Sequence, residues 1–104
     1  MSKNTMIVVT EVLIDEQPKL NLDELCAACQ VTPEFIDDLI DYGILELEST
    51  EFNAEHLRRV RTVVRLQHDL EVNLPGAAVI LDLMDELDDM RKQLEVVEKY
   101  RLNR

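Results

Sequence analysis

The chain has 104 residues, 46% of them hydrophobic, and sets 22 Asp and Glu against 11 Lys and Arg for a formal charge of −11. That is enough sequence for one domain with a modest core, which excludes both a disordered polyanion and a deep multidomain cleft. No apolar run reaches membrane length, and the opening segment carries a single Lys followed by acids, so neither a membrane span nor a secretory leader is expected and the cytoplasm is the expected location.

Residues 6–14 (MIVVTEVLI) are rich in β-branched side chains and predict a strand, with a turn at 15–19. Asn21 followed three positions later by Glu24 forms a capping-box variant. Leu22, Leu25, Cys26 and Cys29 then share one face, so a short helix should end near Cys29 and turn at Gln30-Val31. Thr32-Pro33-Glu34 restarts a helix: a hydroxyl cap, a proline in the first turn and an acid near the positive helix end. Its apolar face is Phe35, Ile36, Leu39 and Ile40, and Gly43 after Tyr42 should supply a left-handed cap. Two short helices joined by a tight turn predict a helix-turn-helix. Residues 44–52 (ILELESTEF) then read as a short hairpin, a β-wing, whose second strand could pair with the N-terminal strand.

Asn53 caps the next helix, expected from 54 to about 72. Its buried stripe should be Leu57, Val60, Val64 and Leu70, flanked by Val63 and Leu66, with Arg58, Arg61 and Arg65 in a separate row. Asn73-Leu74-Pro75-Gly76 breaks the chain, because proline lacks an N–H and disfavours helical geometry in the residue before it. The last helix should run from about 75 to near 102, giving a winged head at 1–72 and a long C-terminal helix at 73–104 within one mainly α domain. Along that helix Leu83, Leu87, Met90, Leu94 and Val97 alternate spacings of four and three, the seam two helices share, with Ile80 and Met84 widening it near the head. The seam could pair with its own copy in an antiparallel homodimer or fold back on the head. Five apolar seam residues are too many to leave wet, which favours the homodimer.

Charge distribution decides what such a head can bind. Residues 20–57 hold ten acids and no Lys or Arg. A helix-turn-helix reads DNA with its second helix, but here that helix carries Glu34, Asp37, Asp38 and Asp41, and the wing adds Glu46, Glu48 and Glu51. Carboxylates repel phosphates and no arginine is available for guanine edges, so no direct nucleic-acid contact is expected and a basic protein surface is the fitting partner. A second acidic row, Asp82, Asp85, Glu86 and Asp89, follows the helix break; it is either a solvated face or a docking surface.

Cys26-Ala27-Ala28-Cys29 has metal or redox spacing, but a zinc site needs two further ligands, and His56 and His68 are wrongly spaced for a finger. Both cysteines fall on the buried phase of their helix, where Cys packs as a small hydrophobe. A metal sensor is the third reading. With only Gly43 and Gly76 no phosphate loop can form, and no carboxylate sits beside a nucleophile in a catalytic arrangement. No enzyme activity, cofactor or metal is expected.

Arg65-Leu66-x-His68-Asp69-Leu70, Pro75-Gly76 seven positions after the histidine, then Ala78, Leu81, Leu83, Met84 and Asp85, resemble the bacterial chaperone-modulator family CbpM. The likeness covers about residues 31–95. It implies a MerR-like winged helix-turn-helix with a long C-terminal helix. It also implies a partner, the J-domain of CbpA, a DnaJ-like co-chaperone that binds DNA. Members of this family suppress both that co-chaperone's stimulation of DnaK and its DNA binding. Two departures are the longer segment at 15–20 and Leu74, where an aromatic is common before the proline. The expected mechanism is masking of the basic J-domain surface used for DnaK. The contact residues would be Asp82, Asp85, Glu86 and Asp89 anchored by Leu74 and Ile80, with Asp37, Asp38 and Asp41 as the second-choice set. A dimeric MerR-like DNA-binding regulator is the alternative.

Overall fold

The computed structural model describes residues 19–102. Helices α1 (Leu22–Cys29) and α2 (Pro33–Asp41) form the helix-turn-helix, α3 (Ala54–Leu70) supports it, and α4 (Leu74–Leu102) leaves it. The expected strand at 6–14 lies outside the described residues.

Each helix starts where its cap dictates. Asn21 Oδ1 accepts from the Glu24 N–H at 2.8 Å while Glu24 accepts from the Asn21 N–H at 2.9 Å. Thr32 Oγ1 accepts from the Phe35 N–H, and Pro33 occupies the first turn. At α3 the box closes with a histidine: Asn53 Oδ1 accepts from the His56 N–H, and His56 Nδ1 accepts from the Asn53 N–H, both at 3.0 Å. These bonds satisfy N–H groups that a helix start otherwise leaves open. Gly43 takes the expected left-handed conformation at φ +75°. Gln30 and Glu71 are left-handed as well, ending α1 and α3 without a glycine.

The core joins Leu25, Ile36, Leu39, Leu45, Leu57, Val60 and Val63, all essentially inaccessible, with Leu20 and Phe52 at one edge. Val63 is central rather than flanking, and Leu70 is 62% exposed rather than buried, because α3 reaches past the head in its last turn. Ala77 and Leu81 dock the start of α4 on this core.

The wing differs from expectation. Among the described residues there is no strand; segment 44–53 is a loop. Its one ladder contact is a bridge between Phe52 and Leu20, closed by two 2.7 Å hydrogen bonds. Glu46, Glu48 and Glu51 would repel one another across a hairpin, and Leu47 stays half exposed. Ser49 instead folds the tip locally, its hydroxyl accepting from the Glu51 N–H at 3.1 Å.

Candidate protein-binding surface

The wing loop is shaped by side chains of α3. His56 Nδ1 is occupied as an acceptor in the cap, so its Nε2 carries the proton and donates to the Glu46 carbonyl at 3.1 Å. One turn later Arg59 Nε donates to the Ile44 carbonyl at 2.8 Å. The far end of the same guanidinium donates from Nη1 to both carboxylate oxygens of Asp85 on α4, at 3.0 and 3.3 Å. Between loop, α3 and α4 lies an open cleft lined by Glu46, Glu55, Arg59, Asp82 and Asp85. Four carboxylates there surround one guanidinium, and Glu55 is shared with Arg58.

The two acidic sets occupy different places. Asp37, Asp38 and Asp41 are exposed on α2, next to exposed Glu34, with no basic side chain on that helix. Asp82, Asp85, Glu86 and Asp89 are exposed on α4, but Asp85 already has a cation in Arg59. Leu74 is half-buried against the core, so it acts mainly as part of the head; Ile80 is half-buried at the point where α4 leaves it. Of the arginine row, Arg58 pairs with Glu55, while Arg61 and Arg65 are exposed.

Sequence reasoning missed Arg59. It lies four residues before Val63, on the edge of the buried stripe, a position where a long cationic side chain packs its stem and holds its head in place. The side chain is 19% exposed. It sits off the conspicuous row of Arg58, Arg61 and Arg65, and its loop-carbonyl acceptor has no sequence signature.

From Asp82 onward every residue of α4 is exposed. The seam residues Leu83, Leu87, Met90, Leu94 and Val97 are 53 to 62% accessible, and Val79 and Tyr100 continue the apolar surface at 58% and 73%. At about 100° per residue, Leu83 and Leu87 point away from the side that Ala77 and Leu81 press onto the head. The head of the same chain therefore leaves the seam uncovered, and folding back is not what the helix does.

Cys26 and Cys29 are buried, as expected. Burial first, then Asp23, Glu34 and Asp37, push the Cys26 thiol up. Burial pushes Cys29 up to about 11 against a partial lowering by Arg61. Both are protonated packing groups near neutral pH. Among the described residues no cluster of three or more His, Cys, Asp or Glu is placed to hold a metal, and no helix is long and apolar enough to cross a membrane.

A two-helix turn, a loop in the wing position and a supporting helix are the geometry of a winged helix-turn-helix. The profile described as MerR HTH family regulatory protein matches residues 20–99, the whole of this arrangement and most of α4. The chain belongs to the MerR HTH family. Within it, the chain is similar to proteins named Chaperone modulatory protein CbpM. One, from Coxiella burnetii (strain Dugway 5J108-111), is 28% identical over 101 residues, covering 92% of this chain and 95% of the relative. Those of Pseudomonas putida (strain W619), 25% identical over 83% of this chain and 89% of the relative, and Escherichia coli O1:K1 / APEC, 28% over 80% and 86%, agree. The resemblance carried by Arg65–Asp85 thus extends along nearly the whole chain. This MerR HTH member is similar over most of its length to proteins named as chaperone modulators.

Proposed function

We propose that the protein binds the J-domain of a CbpA-like co-chaperone and inhibits its stimulation of DnaK and its DNA binding, by covering the basic surface the J-domain offers to DnaK. The observation that carries this reading is the charge of the exposed helix-turn-helix surface: Glu34, Asp37, Asp38 and Asp41 stand on α2 where a DNA reader needs Lys and Arg. The same surface attracts a basic helix. The likeness to proteins named as chaperone modulators supports the choice of partner.

The contact surface is the α4 row Asp82, Glu86 and Asp89 together with the acidic cleft beside it, rimmed by Ile80. Asp37, Asp38 and Asp41 provide long-range attraction and are the second contact set. Exposed charge pairs each contribute only about 0–1 kcal/mol, so the row needs its neighbouring apolar atoms for affinity.

The protein acts as a homodimer in this reading. Leu83, Leu87, Met90, Leu94 and Val97 form the shared seam. Fully covering a leucine-sized side chain stabilises by roughly 1.5–3 kcal/mol, so five half-exposed ones provide a substantial association energy. In an antiparallel pair, Leu83 meets the copy's Leu94 and Leu87 meets its Met90, which keeps every layer apolar.

Stimulation of DnaK's ATPase by the CbpA-like protein is the direct test. Added protein should suppress it, and triple reversal Asp82→Lys, Glu86→Lys, Asp89→Lys should relieve the suppression by about tenfold or more. Undiminished stimulation at saturating protein contradicts the reading. The family description keeps the DNA-binding alternative in view, and a gel shift at low salt separates the two. No retardation of duplex DNA by this chain is expected, whereas retardation favours the DNA-binding regulator.

A further inference from the structure

Asp85 is one of the four acids that sequence reasoning assigns to the partner contact, yet its carboxylate is engaged inside the molecule. Both its oxygens accept from Arg59 Nη1, at 3.0 and 3.3 Å. Through its other end the same guanidinium binds the Ile44 carbonyl at 2.8 Å. Arg59 thus links three segments: α3, which carries it; the loop that follows Gly43; and α4, just as that helix leaves the head. Its side chain is 19% exposed, so the charge is partly withdrawn from water and needs both acceptors. Asp85, 57% exposed, is the outer member of the pair.

The link has a counterpart one turn earlier, where His56 Nε2 holds the Glu46 carbonyl. The two carbonyls so held, Ile44 and Glu46, flank Leu45, whose side chain is in the core. The loop lacks a ladder partner over its first half; beside the N–H bonds of Ile44 and Leu45 to Leu39 and their buried side chains, these two donors hold its carbonyls. Glu46, which follows the held segment, and Asp82, one turn before Asp85 on α4, line the same cleft as Arg59.

We infer that Arg59 is a positioning residue of the proposed partner-binding surface: it fastens the wing loop to the long helix and uses Asp85 as its anchor, so that Asp85 serves the fold and Asp82, Glu86 and Asp89 serve the partner. This rests on the J-domain reading for its binding consequence, while the fastening itself is a property of the free protein.

Charge and position make opposite predictions here. Arg59→Gln makes the molecule one unit more negative and releases Asp85. If only charge mattered, a basic J-domain would bind the variant more tightly. With Arg59 as the fastening, binding weakens because the two cleft walls are no longer held in register. Lysine cannot replace it, since one ammonium cannot span the loop carbonyl and the carboxylate as the guanidinium fork does.

The experiment takes full-length wild type, Arg59→Gln, Arg59→Lys, Asp85→Asn and the double variant Arg59→Gln with Asp85→Asn. Asp85→Asn preserves shape and is the safeguard should Arg59 variants unfold. Amide exchange of Ile44 and Leu45, whose N–H groups both donate to the Leu39 carbonyl, reports the loop without any partner. Exchange there should rise by about tenfold or more in Arg59→Gln and Arg59→Lys, and less in Asp85→Asn. Binding to the J-domain of the cognate CbpA-like protein should weaken by roughly five- to tenfold in Arg59→Gln, in the dissociation rate. The double variant should bind no worse than Arg59→Gln, because Asp85 acts through Arg59. Three results overturn the inference: unchanged exchange at Ile44 and Leu45, binding of Arg59→Gln as tight as wild type, or an Asp85→Asn effect that multiplies undiminished onto Arg59→Gln. Absence of binding by wild type overturns the J-domain reading instead, and the exchange result alone then decides the role of Arg59.

Discussion

Helix α4 is one continuous element with two different fates. Over its first two turns the apolar residues are used by the chain itself: Ala77 and Leu81 are buried, and Leu74 and Ala78 pack on the core. Over the remaining turns leucines and valines recur at helical spacing, yet every residue from 82 to 102 is exposed. Helical periodicity alone does not distinguish the two stretches. What does is direction: the first stretch faces α3, and the seam of the second faces away from the head. Apolar spacing in a sequence therefore shows that a face will be covered, and only the fold shows whether the cover comes from the same chain.

That contrast can be broken most strongly at the seam. Leu87→Asp with Leu94→Asp places four carboxylates in a shared interface and should weaken self-association by at least about a hundredfold. Sedimentation should show a wild-type dimer at micromolar concentration and a monomeric variant with unchanged helical signal. A wild type already monomeric there removes the dimer.

Truncation in the head should behave oppositely. Leu39 is fully buried beneath the helix-turn-helix, and Leu39→Ala should cost about 3 kcal/mol of stability and lower Tm by more than 10 °C. Leu94→Ala, in a Leu87→Asp background, should change stability by less than about 0.5 kcal/mol, since that side chain is 60% exposed.

A smaller effect sharpens the comparison through pH. Cys29 ionises near its ordinary 9.0 when unfolded and at about 11 when folded, so between those values the folded state holds a proton that the unfolded state has lost. Its stabilising contribution is complete below pH 9.0 and is lost as pH rises towards 11, by roughly 1–2 kcal/mol. Urea titrations of wild type and Cys29→Ala across that window should show a shallower decline in the variant. Equal slopes would mean that the thiol is not desolvated in the head.

Much of the head was legible in the sequence because its signals are local. Asn21, Thr32 and Asn53 cap where their side chains can reach the third amide on, and Gly43 is left-handed where α2 stops. The Cys26/Cys29 spacing on an apolar face correctly indicated packing. The wing was not legible as a loop: alternation in ILELESTEF looks like a strand pair until its three glutamates are placed opposite one another. Leu70 fitted the helical stripe but lies beyond the reach of the core. Arg59 was invisible because its role depends on a backbone carbonyl fifteen residues earlier and a carboxylate twenty-six residues later, a juxtaposition that no spacing rule encodes. The acidic row on α4 was legible as a row, but its internal tie was not: of its four carboxylates, Asp85 accepts from Arg59.

Binding of the cognate CbpA-like J-domain to the full-length chain, followed by calorimetry at low and at high salt, tests the central claim most directly. An acidic surface covering a basic helix predicts clear binding at low salt that weakens markedly at high salt. Absence of binding at both salts, with the chain folded and dimeric, contradicts it.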